Sequence, residues 1–325
     1  MQLEKSIVLP QIGWRLDARA ASQKSFASHA HSDHVGRHER TLCSEATAQL
    51  ITARMGRRPK VLSLPLEEEF EIESGCRACL YPAGHILGSA QLWVEKAGVS
   101  LLYTGDFKLR QGLSAEPCAT PRADVLIMET TFGKPRYRFP PTEAVMTEIA
   151  EFCRQTLEND EIPILFTYSL GKSQEVLRGL EGAGFPIMLH SQVKKMTRLY
   201  ESLGYRFPHY RSLDLKECEG HVIICPPQAT RSGWLKEIKP RKTAMISGWA
   251  LDPGAIYRYK CDAAFALSDH ADYDDLLAFV ERVRPSLVYT VHGFAREFAE
   301  TLASRGIDAR ALGMDNQLML PGLGV

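Results

Sequence analysis

Ser28-His29-Ala30-His31-Ser32-Asp33-His34 carries three imidazoles and one carboxylate within six consecutive positions, His29 to His34, directly after the apolar pair Phe26-Ala27. In an extended chain alternate side chains share a face, so His29 and His31 point the same way and can hold one ion. The turn that follows swings Asp33 and His34 toward a second ion. One loop can therefore supply parts of two metal sites. Elsewhere His190, His209 and His221 stand alone, with no ligand-type residue at such spacing, and read as ordinary surface or satisfied core residues. His38 lies nearby but outside the spacing.

Working outward, three more ligand-type residues close apolar strands: His85 in Pro82-Ala83-Gly84-His85, Asp106 in Tyr103-Thr104-Gly105-Asp106, and His292 after Val291 and before Gly293. The neighbouring glycines let loops turn sharply and crowd around an ion. Imidazole and carboxylate without thiolate suit zinc, with manganese as a substitute. His29, His31, Asp33, His34, His85, Asp106 and His292 are thus the expected ligands of two divalent ions.

Around these residues the first third of the chain is strand-rich, with short apolar runs near residues 6–9, 61–64, 70–72, 92–95, 100–103 and 125–128. Helical spacing of Val145, Met146, Ile149 and Phe152 predicts a helix from Thr142, which is its expected N-cap, to Leu157. Strand and helix then alternate from Ile162 to Leu203, which is α/β texture. Strand-rich texture returns near Ala264, with a strand at residues 287–291 between two helices, so the middle of the chain looks inserted.

In their order along the chain, the His-x-His-x-Asp-His run, Gly84-His85, Thr104-Gly105-Asp106, Glu129-Thr130-Thr131-Phe132-Gly133, Ser268-Asp269-His270 and Val291-His292-Gly293 resemble the β-CASP branch of the metallo-β-lactamase superfamily. The resemblance implies an α/β fold, a four-layer αββα sandwich with a smaller α/β β-CASP domain inserted, and a substrate cleft between the two. The expected division is 1–133 and 264–325 for the sandwich and 134–263 for the insertion. It also implies roles: His29, His31 and His85 on one metal, Asp33, His34 and His292 on the other, and Asp106 bridging both. Glu129 would orient His270, the candidate proton donor, and Asp33, His270 and Glu129 are the catalytic candidates.

Argued from the chemistry, two cations lower the pKa of a water between them and clamp a phosphodiester oxygen, while a histidine held charged by a carboxylate protonates the departing oxygen. The expected activity is hydrolysis of nucleic acid. Within the family the short chain most resembles the bacterial ligase-associated DNA exonucleases, related to the Artemis type, which implies DNA, attack from the 5′ end, and a repair setting beside a DNA ligase and a helicase. His292 resembles instead the RNA-processing branch of RNase J and the polyadenylation endonuclease, which is the alternative. A lactam or thioester hydrolase sharing the first motif needs neither the insertion nor Ser268-Asp269-His270.

Two further features concern phosphate. Thr167-Tyr168-Ser169-Leu170-Gly171-Lys172-Ser173 follows an apolar strand and opens a helix, where backbone N–H groups, hydroxyls and a lysine make a phosphate site, or simple capping by Ser169 or Ser173. Ser169, Gly171, Lys172 and Ser173, with Thr130 and Thr131, are the expected phosphate contacts. Basic clusters fall at Arg54/Arg57/Arg58/Lys60, Lys134/Arg136/Arg138, Lys194/Lys195/Arg198 and Lys236/Lys239/Arg241/Lys242. Lys134, Arg136 and Arg138, interleaved with Tyr137 and Phe139, are the best nucleic-acid candidates, since aromatics between cations can stack on unpaired bases.

Bulk composition sets the frame. Apolar residues at 45% and charged residues at 24% exclude disordered and fibrous classes. Lys+Arg and Asp+Glu balance at 39 each, so binding of a polyanion must rest on local patches. Eight scattered cysteines and no secretory leader lead us to expect a reducing, cytoplasmic setting without a membrane span. Cys76-x-x-Cys79 lacks a second pair to complete a zinc site and is expected to be two buried free thiols.

Overall fold

The computed structural model describes residues 6–56, 60–231 and 233–312. Arg57 and Arg58 of the first basic cluster lie outside the described residues. Two compact units emerge, one made of Met1–Arg138 with His270–Val325 and the other of Phe139–Asp269.

The first unit starts with a five-stranded sheet in sequence order: β1 (Ile7–Leu9), β2 (Trp14–Leu16), β3 (Ser22–Phe26), β4 (His38–Ser44) and β5 (Val61–Leu64). Helix α1 (Glu45–Met55) packs on β4 and β5, its N-terminus capped by Ser44, whose hydroxyl accepts from the Thr47 N–H. A second sheet follows with β6 (Glu69–Glu73), β7 (Cys76–Pro82), β8 (Ala90–Lys96), β9 (Val99–Tyr103) and β10 (Val125–Glu129), joined by two parallel strands from the end of the chain. Its strands alternate strictly. Leu80, Leu92, Leu101, Tyr103 and Ile127 face Trp14, Leu16, Phe26 and Leu42 of the first sheet, while Leu102, Leu126 and Met128 face the other way. Burying each such large side chain contributes about 1.5–3 kcal/mol, which makes the interface between the sheets the main source of cohesion here.

In the second unit α2 (Thr142–Glu158), β11 (Ile162–Phe166), α3 (Lys172–Gly179), β12 (Ile187–Leu189), α4 (Ser191–Ser202), β13 (Arg211–Ser212), β14 (Val222–Cys225), β15 (Arg241–Ile246), α5 (Ala255–Tyr259) and β16 (Ala263–Phe265) build a six-stranded, all-parallel sheet in the order β13-β12-β14-β11-β15-β16. Such a sheet is buried on both faces, so its strands read as unbroken apolar runs. Leu165, Leu189, Ile224 and Ile246 pack with α2, α3 and α4, and Ile164, Phe166, Met188 and Ile223 fill the opposite face. Pro141, not Thr142, holds the N-cap position of α2; Thr142 is already helical, and no side chain caps that end.

The chain then returns to the first unit through α6 (Tyr273–Val283), β17 (Leu287–Val291), α7 (Ala295–Ser304) and β18 (Ala309–Ala311). Helix α6 lays Leu276, Phe279 and Val280, and α7 Phe298 and Leu302, on the outer face of the second sheet. Helix, sheet, sheet and helix therefore stack as αββα layers, and the fold is α/β. Strands β2 to β4 and α1 carry too few apolar residues in a regular period to stand out in the sequence: α1 buries only Thr47, Leu50 and Ile51. Cys76 and Cys79 are buried, unbridged residues of β7. Among the described residues no helix is long and apolar enough to cross a membrane.

Candidate metal centre

Every ligand-type residue of the centre leaves the C-terminal end of a strand: the 29–34 loop follows β3, His85 follows β7, Asp106 follows β9, and His292 follows β17. The loops are tied by backbone hydrogen bonds. Ala90 N–H donates to Ser28 O at 2.8 Å, and Thr104 N–H to Ile127 O at 3.0 Å. Gly105 has φ +57, and a Cβ there would lie 2.3 Å from Ser28 Cβ. Only glycine lets the Asp106 loop press so closely on the histidine loop.

The ring nitrogens converge. His31 Nδ1 lies 3.0 Å from His29 Nε2 and 3.2 Å from His85 Nε2. Asp106 Oδ2 lies 3.2 Å from His34 Nε2, 3.6 Å from His29 Nε2 and 4.0 Å from His85 Nε2. The donor atoms of His29, His31 and His85 form one group within 4.8 Å, and those of His29, His34 and Asp106 a second. Asp106 faces both.

Burial, then the neighbouring rings of His34, His85 and His31, hold the His29 imidazole well below its ordinary pKa, so it is neutral with a lone pair to offer. For His34 burial also disfavours the charged form, but the carboxylates of Asp106 and Asp17 outweigh it and raise the pKa well above the usual value. Burial pushes the Asp106 carboxyl up, yet His34, and after it His270 and His29, hold it well below the usual carboxylate range.

Asp17 is the residue that sequence reasoning missed. Its Oδ2 lies 2.9 Å from His34 Nδ1 and accepts from the Tyr103 hydroxyl at 2.8 Å and the Ser28 hydroxyl at 2.7 Å, while Oδ1 accepts from the Ser28 N–H at 2.7 Å. Ser28 Oγ in turn lies 2.9 Å from His29 Nδ1. This network turns the Nε2 atoms of His29 and His34 toward Asp106. The only signal in the sequence was an acid closing the short run Trp14-Arg15-Leu16.

Asp33 and His292 are less drawn in. Asp33 Oδ2 stands 3.8 Å from His34 Nε2 with its side chain 66% exposed, and the exposed His292 ring lies 6.1 Å, centroid to centroid, from that of His34. Neither joins a converging group of donor atoms among the described residues. Both stand where water competes for them, whereas the other five are held by burial and by one another.

Beside the centre, His270 Nδ1 lies 2.8 Å from Glu129 Oε1, and the two rings of His270 and His85 are 4.7 Å apart. Glu129 is buried at the end of β10, where Oε1 also accepts from the Phe107 N–H and Oε2 from the Thr131 N–H, both at 3.1 Å. Phe107 O accepts from the Ala271 N–H at 2.7 Å, and the Arg110 guanidinium pairs with Asp272, so the loops of Asp106 and His270 are stitched together.

The chain is similar to known proteins. Residues 258–312 match the family described as "Zn-dependent metallo-hydrolase RNA specificity domain". An RNase J-like protein of Methanocaldococcus jannaschii is 31% identical, over 82% of this chain and 80% of its own length. The chain belongs to the β-CASP branch of the metallo-β-lactamase superfamily. A protein of Opitutus terrae named "Probable DNA ligase" is 56% identical across 98% of this β-CASP chain, which spans only 32% of that relative's length. The crystal structure of a protein of unknown function from Enterococcus faecalis V583 superposes with a TM-score of 0.61 at 15% identity, covering 90% of this chain and 79% of that one, a likeness of fold alone.

The expected phosphate contacts of this β-CASP chain are largely committed to internal partners. Lys172 is buried, with Nζ donating to Leu267 O at 2.8 Å and to Asp269 Oδ1 at 2.9 Å. Ser173 Oγ donates to Tyr168 O at 2.7 Å, and the Gly171 N–H donates to Gln174 Oε1 at 2.8 Å, which closes the start of α3. Ser169 is half-buried beside them. The Thr130 hydroxyl donates to His292 O at 2.7 Å and so supports the His292 turn, and Thr131 offers its N–H to Glu129. Lys134, Arg136 and Arg138 belong to the first unit and not to the head of the insertion, because Lys134 pairs with Glu297 at 2.8 Å and Arg138 with Asp274 at 2.7 Å. Arg136 lies over the Tyr137 ring. Tyr137 itself is 1% exposed, packed between Phe132 and Phe294, and is not available to stack on a base.

Proposed function

We propose that this chain is a metal-dependent nuclease that hydrolyses DNA phosphodiester bonds from the 5′ end, with two divalent ions, zinc or in its place manganese, as cofactors. The observation that carries the reading is Asp106 Oδ2, set within 3.2–4.0 Å of three imidazole nitrogens. Imidazole and ionised carboxylate, without thiolate, fit a borderline-hard divalent cation. His29, His31 and His85 would hold one ion, His34 with Asp33 and His292 the other, and Asp106 would serve both. When bound, such a pair lowers the pKa of water and neutralises charge on the scissile phosphate.

The protein's own part lies in orientation and proton transfer. Glu129 engages His270 Nδ1 and orients the ring, which would protonate the departing oxygen, and Glu129 is itself fixed by two backbone N–H groups. Asp17 fixes the rings of His34 and, through Ser28, His29.

DNA as substrate, and a DNA ligase as companion in repair, are supported by the ligase-named relative. A helicase companion and 5′-end attack rest on the likeness to ligase-associated and Artemis-type enzymes, not on Lys172, whose ammonium is committed to Asp269. A second reading, an RNA-processing nuclease, is favoured by the match at residues 258–312 and by the RNase J-like relative.

Digestion of single-stranded DNA and RNA labelled at either end, with and without chelator and beside the Asp106→Ala variant, tests the proposal. DNA shortened from its 5′ end by the wild type alone, and only with metal, is expected. RNA cut with DNA untouched would transfer the reading to RNA processing, and no scission of either with zinc or manganese present would overturn it.

A further inference from the structure

We propose that the concave face formed by α4 and the segment 207–212 is a second nucleic-acid site, which takes backbone phosphates of a single strand. The inference deepens the nuclease reading and rests on it for the class of ligand. Lys194, Arg198, His209 and Arg211 line a depression of about 520 Å³ in which Glu201 is the one carboxylate among the described lining residues. The chain as a whole carries no net charge, so three cations and an imidazole beside Glu201 and the Glu217 that pairs with Arg211 still leave a local positive excess.

Helical spacing makes it. Val193, Met196, Thr197 and Tyr200 of α4 are buried against the sheet, which turns Lys194 and Arg198, one turn apart, outward. Like charges at this spacing weaken a helix slightly, so the sequence keeps them against the preference of the local structure. Arg211 comes from β13, the exposed edge strand paired with β12. The acid is engaged within the protein: Glu201 Oε2 accepts from the Tyr210 hydroxyl at 2.9 Å. The other contacts lie at the surface: Lys194 with the Ser212 hydroxyl, Arg211 with Glu217, and Arg198 with the Tyr210 hydroxyl. Cations and the half-buried ring of Tyr210 in one depression are a combination that binds an unpaired strand, phosphates on the charges and a base on the accessible part of the ring.

The test uses the full chain in chelator, which separates binding from cutting. Anisotropy of a fluorescein-labelled 20-nucleotide single strand is followed across a salt series for wild type, Lys194→Glu, Arg198→Glu, the double variant and an exposed control outside the basic clusters, Arg305→Glu. The double variant is expected to bind about tenfold more weakly at low salt, with a slope of log affinity against log salt shallower by roughly 0.7 for each phosphate that the protein no longer neutralises. The control stays near wild type. Hydrolysis of bis(4-nitrophenyl) phosphate with metal restored is expected to be unchanged in all of them, showing that the fold and the metal centre are intact. Equal affinity and slope in the double variant, an equal loss in Arg305→Glu, or a wild type that binds no strand would overturn the proposal. A wild type that binds through these residues yet cuts nothing would leave this site standing and remove the nuclease reading instead.

Discussion

Asp17 Oδ2 lies 2.9 Å from His34 Nδ1, so an acid 17 positions earlier in the chain decides which way this histidine faces. The same carboxylate takes hydrogen bonds from Ser28 and Tyr103, and thereby links the histidine loop to β9 and the Asp106 loop that follows it. A partner of this kind sets tautomer and ring orientation before any ion arrives, and its loss is felt in affinity more than in folding.

Asp17→Asn is therefore expected to weaken zinc binding by about 10–100-fold while the far-ultraviolet circular dichroism stays that of the wild type. Competition with a chromophoric chelator measures it. Wild-type affinity in the variant would show that Asp17 has only a packing role.

Gly105→Ala is a test of how closely the loops approach. Its φ of +57 disfavours any side chain by about 1–2 kcal/mol, and a Cβ 2.3 Å from that of Ser28 adds an overpacking term of about 1–3 kcal/mol. Urea unfolding should show a loss of roughly 2–5 kcal/mol from the two together. A midpoint within error of the wild type would mean that the loop relaxes freely.

For Glu129→Gln the expected outcome depends on the leaving group. With a nucleotide substrate, whose departing oxygen needs a proton, kcat should fall by about 10²-fold at unchanged metal content. With bis(4-nitrophenyl) phosphate, whose leaving group departs without one, the fall should be much smaller. Equal losses on both substrates would remove Glu129 and His270 from proton transfer.

Lys172→Met strands Asp269, whose side chain is 15% exposed, without its ammonium partner. Removing one member of a buried pair costs about 3–5 kcal/mol, and the residual exposure places this case at the lower end. Adding Asp269→Asn should restore part of the loss. Comparison of the denaturation midpoints of the single and double variants gives the coupling, and additive losses would mean that the pair contributes nothing.

What could be read from the sequence was what neighbouring positions decide. The His29-to-His34 run and the glycine-flanked His85 and Asp106 were legible as candidate ligands, because short loops at strand ends present such residues by local spacing, whereas the pairing of Glu129 with His270, 141 positions apart, was implied by the family resemblance alone. Unbroken apolar runs such as Ile162 to Phe166 likewise announce strands buried on both faces. The chain alone also limited the chemistry, since its first ligand run offers imidazole and carboxylate without thiolate.

Only the tertiary structure decided how buried polar groups are partnered. Lys172 looks like a phosphate ligand at a helix start until Asp269, 97 positions away, is seen to hold it. Tyr137 looks like a stacking platform until Phe132 and Phe294 enclose it. Asp17 looks like a strand-end acid until His34 and Tyr103 turn to it. The physical reason is the same in each case: a charge or ring removed from water must find its complement wherever the fold brings one, and sequence spacing does not record that distance.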